Sequence, residues 1–262
     1  MADDGRAEGT ARAAQRAGAG PDGRAGGRAA RIAANLESVR DRVARACAAA
    51  GRPVGDVTLI AVTKTFPASD VRILAELGVR DIGENRDQEA APKAAESADL
   101  DLRWHFIGQL QTNKAKSVAR YADIVHSVDR PRLVRELGRR VREEGRRLTC
   151  LVQVDLDPSA SPGVLGPRGG ADTRDALGIA DAISAEDGLD LGGVMAVAPR
   201  EGDPESAFAR LYEVAERVRA RYPQARTVSA GMSADLEAAV AQGATHLRVG
   251  TALLDDRGPI VG

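Results

Sequence analysis

Apolar and polar positions follow two rhythms along this chain. In RAARIAANLESVRDRVARACAAAG, from residue 29, Ile32, Leu36, Val39, Val43 and Cys47 fall three or four apart, the spacing of one helix face, and Gly51 closes the segment. Beyond it, short apolar runs predict strands at 57–64, 80–85, 104–108, 123–128, 149–156, 191–197, 227–231 and 246–250. Amphipathic stretches near 68–78, 86–97, 111–120, 130–145, 173–187, 204–221 and 233–243 predict helices between them. Strands separated by helices build a parallel sheet, and eight uniformly short units predict a closed α/β fold, the (β/α)8 or TIM barrel. An open doubly wound sheet is the alternative, but the first strand is not followed by G-x-G-x-x-G, so a dinucleotide site has no support. The chain stops soon after the eighth strand, and a single barrel domain over 29–262 is expected.

The first 28 residues, MADDGRAEGTARAAQRAGAGPDGRAGGR, break the pattern. They are rich in Gly, Ala and Arg and lack the apolar run of a signal peptide, so a disordered tail is expected there. Composition then narrows the partners. A net charge of −1 supplies no field that draws the chain to nucleic acid or membrane, and 3% aromatics leave little for stacking on bases. Two cysteines, Cys47 and Cys150, lack metal-ligand spacing and fit a reducing, cytoplasmic setting. No apolar stretch approaches the roughly 20 residues of a membrane span.

In such a barrel, chemistry belongs at the C-terminal ends of the strands. Lys64 closes the first run, VTLIAVTK. The chain holds 37 basic residues, and only Lys64, Lys93, Lys114 and Lys116 are lysines. Where charge alone serves, this sequence writes Arg, which cannot act as an amine nucleophile. An apolar approach to Lys64 is expected to desolvate its amine and lower its pKa. After the seventh and eighth strands, SAGMSADLEAAV and RVGTALL each pass through glycine into a helical turn, with Ser233 expected as an N-cap and Thr251 opening the last turn. Loops at those two places form the usual phosphate site of a barrel. His105, His126 and His246 show no metal spacing; hydrogen-bonded core histidines are the default reading, with His105 the one whose strand leads to the proposed site. A phosphate grip facing an imine-forming lysine suits pyridoxal 5′-phosphate (PLP), a ligand with both a phosphate and an aldehyde.

Several stretches taken in order, AVTKTFPASDVRILAELGVRDIGENRDQEAAPKA, WHFIGQLQTNKAK, HSVD, GVMAVAP and SAGMSADLEAAVAQGATHLRVGTA, resemble the pyridoxal phosphate homeostasis proteins over about residues 30–257. The resemblance implies a cytosolic barrel like the N-terminal domain of alanine racemase, with PLP held as a Schiff base on Lys64. It implies that Asn85 and His105 line the cofactor, that Ser229, Gly231, Met232, Ser233, Gly250 and Thr251 hold the phosphate, and that Arg248 approaches the pyridine ring or the phosphate. A cation at the ring nitrogen would weaken the electron sink that most PLP catalysis needs. The sequence departs from the family at Arg86 after GEN, Ala230 before GMS, Leu254-Asp255 after GTA, and SPGVLGPRGG at 161–170. The expected role is PLP supply without robust catalysis, as a monomer serving PLP-dependent apo-enzymes. A PLP-dependent racemase or transaminase, and a barrel binding another phosphorylated metabolite without a covalent bond, are the competing readings.

Overall fold

The computed structural model describes residues 21–157, 169–199 and 201–255. Eight parallel strands close into a barrel: β1 (Thr58–Val62), β2 (Asp81–Glu84), β3 (Arg103–Phe106), β4 (Ile124–Val128), β5 (Leu148–Gln153), β6 (Leu189–Met195), β7 (Thr227–Ser229) and β8 (His246–Val249). Strand β8 pairs back onto β1 in register Thr58 with His246 through Ala61 with Val249. The helices are α1 (Pro21–Ala49), α2 (Ala68–Glu76), α3 (Asp87–Glu96), α4 (Ala115–Tyr121), α5 (Pro131–Glu143), α6 (Ala176–Ala185), α7 (Pro204–Arg221), α8 (Leu236–Ala241) and α9 (Thr251–Leu254). The expected barrel is therefore present, strand for strand. Most strands end a residue or more before the apolar run does, because the chain turns at the rim while its side chains stay apolar.

The period of two along each strand sorts side chains between two layers. Ala61, Ile82, Trp104, Phe106, Leu247 and Val249 join the core shared with the surrounding helices. Intervening positions meet their neighbours on the adjacent strand: a Cβ added at Gly83 on β2 would lie 3.0 Å from Ile60 Cγ2 on β1, and His105 on β3 and His126 on β4 bond to each other. Helix α7 shows how the outer ring is set. Asp203 accepts hydrogen bonds from the Glu205 and Ser206 amides, Pro204 fills the first turn, and Phe208, Leu211, Val214 and Val218 form the buried stripe. Each such side chain contributes about 2 kcal/mol by leaving water.

The expected tail differs in part. Helix α1 begins at Pro21, and Arg28 donates to Asp70 at 2.6 Å and to the Leu254 carbonyl at 2.8 Å. Glycines at 26 and 27 are tolerated because the helix is anchored by tertiary contacts further along, where Ile32, Leu36, Val39 and Cys47 are buried. Residues 1–20 and most of the stretch 161–170 lie outside the described residues. Both cysteines are buried free thiols, and burial pushes the Cys150 thiol up. Among the described residues no helix is long and apolar enough to cross a membrane, and no cluster of metal-ligating side chains forms.

Candidate functional site

Lys64 stands two residues beyond the end of β1, in the turn that carries the chain from Thr63 to Phe66. The expectation of a desolvated amine is corrected here. Burial ends at Thr63, and Lys64 is exposed, because the strand stops at Val62 and the lysine projects past the rim. The buried lysine is Lys93 on α3. Its Nζ donates to the Thr63 carbonyl at 2.8 Å and to Glu84 Oε1, and Thr63 Oγ1 donates to the same carboxylate oxygen at 2.6 Å. Glu84, the acid that closes β2, is fully buried, so this pair balances charge inside the wall of the barrel.

On β8, the strand next to β1, Arg248 is 3% exposed. Its guanidinium donates to Ser229 Oγ at 2.6 Å and to the Ala196 carbonyl at 2.8 Å. Both partners are neutral. Burial lowers the Arg248 pKa to about 10 against the opposing pull of Asp235, so the group still carries its charge at neutral pH. A buried cation with dipolar partners alone is a standing attraction for an anionic or electron-rich ligand.

Ser229 leads into a chain of buried hydrogen bonds. His126 Nδ1 lies 2.9 Å from Ser229 Oγ, His126 Nε2 lies 2.9 Å from His105 Nδ1, and His105 Nε2 lies 2.9 Å from Asp81 Oδ1. Burial, then the neighbouring His105 and Arg248, hold His126 far below its ordinary pKa, so it is neutral. Burial pushes Asp81 up, but hydrogen bonds from His105 and Arg103 outweigh it and keep the carboxyl below its usual value. With His126 neutral, one directional assignment satisfies every atom of the chain: His105 donates to Asp81, His126 to His105, Ser229 to His126, and Arg248 to Ser229. The dipoles thus run one way from cation to carboxylate. His105 is buried with both ring nitrogens engaged in this chain, the hydrogen-bonded core place that is the default reading for the histidines.

Two loops border Arg248. Gly231 follows Ser229 with φ +89°, and a Cβ there would lie 2.6 Å from Ala239 Cβ, so only glycine lets the chain turn this close to α8. Ser233 does not cap α8. Asp235 stands at that N-cap and accepts the Met232 amide, while Ser233 Oγ accepts from Ala252 N at 3.2 Å and ties the two loops together. Helix α9 opens at Thr251 after Gly250, as expected, and Met232 and Thr251 are exposed. Helix α1 braces both loops from outside: Arg42 donates to the Ser233 carbonyl at 3.0 Å, and Asn35 to the Leu253 carbonyl at 3.0 Å. After β2, Asn85 carries a buried Oδ1 with no partner, and Gly108 packs so closely that a Cβ would lie 2.1 Å from the Asn85 carbonyl.

The barrel therefore brings Lys64, Asn85, Ser229, Gly231, Met232, Ser233, Arg248, Gly250 and Thr251 to the C-terminal ends of β1, β2, β7 and β8. Residues that motif reading did not bring to the site are Asp81, Glu89 and Lys93, which announce themselves through contacts alone; Glu84 was legible as an acid ending an apolar strand, and His126 is the hydrogen-bonded core histidine expected of it.

This is a barrel whose interior carries a buried chain of hydrogen bonds and whose C-terminal rim offers an amine, a buried guanidinium and two glycine turns. Residues 31–257 match the family model described as alanine racemase, N-terminal domain. A relative from Mycobacterium bovis, named a pyridoxal phosphate homeostasis protein, is 46% identical over 242 residues, 85% of this chain and 91% of its own length. The protein of the same name from Escherichia coli K12 is 36% identical over 236 residues, 86% and 97% of the two chains. PipY of Synechococcus elongatus PCC7942, solved with PLP bound, superposes with a TM-score of 0.72 at 36% identity, covering 85% of this chain and 99% of that one. The chain belongs to the pyridoxal phosphate homeostasis protein family.

Proposed function

We propose that this protein holds PLP at the open end of its barrel, with the Lys64 amine bonded to the aldehyde carbon, and takes part in keeping PLP available in the cell. The observation that carries the proposal is the placement of one exposed amine just beyond β1 and, on the adjacent strand β8, one buried guanidinium whose hydrogen-bond partners are neutral. The residues present fit the group. Asn85 Oδ1 is buried and unpartnered, and the buried Arg248 has only neutral hydrogen-bond partners to share with a negative or electron-rich atom.

When bound, PLP supplies an electrophilic aldehyde carbon. Lys64 would supply the amine that holds this carbon in a reversible imine, with water as the leaving group. The loops at 229–233 and 250–251 hold the phosphate with backbone amides and hydroxyls. Arg248 has donors alone to offer, so it cannot accept a proton from the ligand. Asn85 and His105 complete the wall on the β2 and β3 side, His105 by fixing the hydrogen-bond chain that ends at Arg248. The exposure of Lys64 suits a carrier, since the linkage can be reached by water and by amines from recipient apo-enzymes. We place the protein in the cytoplasm, as a monomer, and without dedicated catalysis.

The test is to titrate the purified protein with PLP and record its absorption before and after borohydride, for the wild type and Lys64→Ala. An imine band that borohydride fixes in the wild type and not in the variant is expected. A second reading, a racemase or transaminase, is favoured by the racemase-domain match; turnover of alanine at rates typical of enzymes, about 1 s⁻¹ or more, would establish it. No imine in the wild type would turn the search to non-covalent phosphorylated ligands.

A further inference from the structure

The turn that presents Lys64 is built against its own sequence. Phe66 N donates to the Thr63 carbonyl at 3.1 Å, which makes Thr63–Lys64–Thr65–Phe66 a β-turn with Lys64 and Thr65 at its centre. Thr65 has φ +67° and is the one non-glycine residue with positive φ among the described residues. In a type II turn this position calls for Gly or Asn, and a β-branched residue there is strained. Strain of this kind persists where surrounding contacts over-determine the backbone, and it gathers at functional sites.

Those contacts come from one face of α3. Glu89 and Lys93 lie one helical turn apart. Glu89 Oε2 accepts the Thr65 amide at 2.8 Å, and Lys93 Nζ donates to the Thr63 carbonyl at 2.8 Å. The two bonds flank Lys64 in sequence, one on the residue before it and one on the residue after. Each anchor is itself held: Lys93 by the buried Glu84 carboxylate, which Thr63 Oγ1 also reaches, and Glu89 Oε1 by Arg86 at 3.4 Å. Neither anchor lies at the mouth; both act from the outer wall, where a groove bordered by Phe66, Pro67, Gln88 and Pro92 runs between α2 and α3.

We propose that Glu89, supported by Lys93, is a positioning residue for Lys64: it accepts the Thr65 amide and so holds the strained turn in the form that aims the amine over the barrel mouth. This rests on the reading that Lys64 bonds the ligand and adds which residues set its reach. Without the Glu89 carboxylate, Thr65 relaxes to negative φ and Lys64 swings from its place, although no atom of Glu89 meets the ligand.

The experiment uses the full chain with three surface substitutions, Glu89→Ala, Glu89→Gln and Glu89→Ala combined with Thr65→Gly. In the PLP-free protein, exchange of the Thr65 amide by NMR should accelerate about tenfold in Glu89→Ala, the scale of one lost hydrogen bond to a charged acceptor, and stay near wild type in Glu89→Gln. In PLP titrations, the imine equilibrium constant should fall by about the same factor in Glu89→Ala. Glu89→Gln should restore it by keeping an acceptor, and Thr65→Gly should restore most of it by removing the strain. A merely structural Glu89 would lower the melting temperature while leaving the imine constant unmoved, and glycine at 65 would add no recovery. Wild-type values in Glu89→Ala, or a loss that neither rescue reverses, overturns the proposal. A wild type that forms no imine overturns the ligand reading instead, and the amide exchange then judges the Glu89 contact by itself.

Discussion

Lys64 and Arg248 sit on neighbouring strands of one barrel mouth, yet one stands exposed in a turn while the other is 3% exposed in the interior. The lysine is controlled from behind, by backbone contacts with α3 on the outer wall. The arginine is controlled along the axis, by a hydrogen-bonded chain through Ser229, His126 and His105 to Asp81. An amine that must meet and release a ligand needs reach and solvent, whereas a charge that sets a field gains from being fixed in low dielectric. The two sides of the site divide these demands, and each can be disturbed separately.

The largest effect is expected in the outer wall. Glu84→Ala leaves the Lys93 ammonium buried without its carboxylate and should cost about 3–5 kcal/mol in urea unfolding. Glu84→Gln combined with Lys93→Met should recover much of that, because no charge is left buried. A cost under about 1 kcal/mol for Glu84→Ala would mean that the pair does not hold the wall. On the axial side, His126→Leu strands His105 Nδ1 and the Ser229 hydroxyl, each at about 1–2 kcal/mol for a neutral group, so a loss of about 2–4 kcal/mol is expected by the same measurement. That variant should also weaken PLP binding while leaving the Thr65 amide as protected as in the wild type. A change in Thr65 protection would show that the two sides are coupled.

The axial chain predicts a pH dependence as well. Burial, aided by the nearby His105, brings the His246 pKa down to about 4, and His126 lies well below its ordinary value. The unfolded chain therefore binds more protons than the fold between the ordinary histidine pKa of about 6.5 and about pH 4. Stability is full above that window and declines as pH falls through it, by at most about 1.4 kcal/mol per pH unit for each histidine. Urea midpoints measured from pH 7 to 4.5 should show the decline, and His246→Asn should flatten it. At the loop, Gly231→Ala forces an L-residue to φ +89° and drives its Cβ to 2.6 Å from Ala239 Cβ, and should cost about 2–4 kcal/mol, with PLP binding weakened through the phosphate side.

Much of the fold was legible because burial imposes a period. Eight apolar runs and the stripe of Ile32, Leu36, Val39, Val43 and Cys47 appear in the structure as eight strands and α1. Glycine turns after β7 and β8 were legible because the positive φ of Gly231 and the close approach of Gly250 to the Val62 backbone restrict the residue type. The exposure of Lys64 was not, since an apolar run does not say at which residue the strand leaves the rim. Ser233 reads as an N-cap by its distance from the helix, but α8 starts three residues after it and its hydroxyl turns to Ala252. The chain from Asp81 to Arg248 joins residues 167 positions apart, numbers 81 and 248, across strands that no local pattern links. The same holds for Glu89 and Thr65, whose contact depends on how α3 lies against the β1 rim.

Four lysines make the central claim directly testable. The protein would be loaded with PLP, reduced with borohydride, digested and mapped by mass spectrometry. The account predicts the reduced adduct on the peptide carrying Lys64, with Lys93 protected by its buried pairing with Glu84. An adduct mainly on Lys93, Lys114 or Lys116, or none at all, would contradict it.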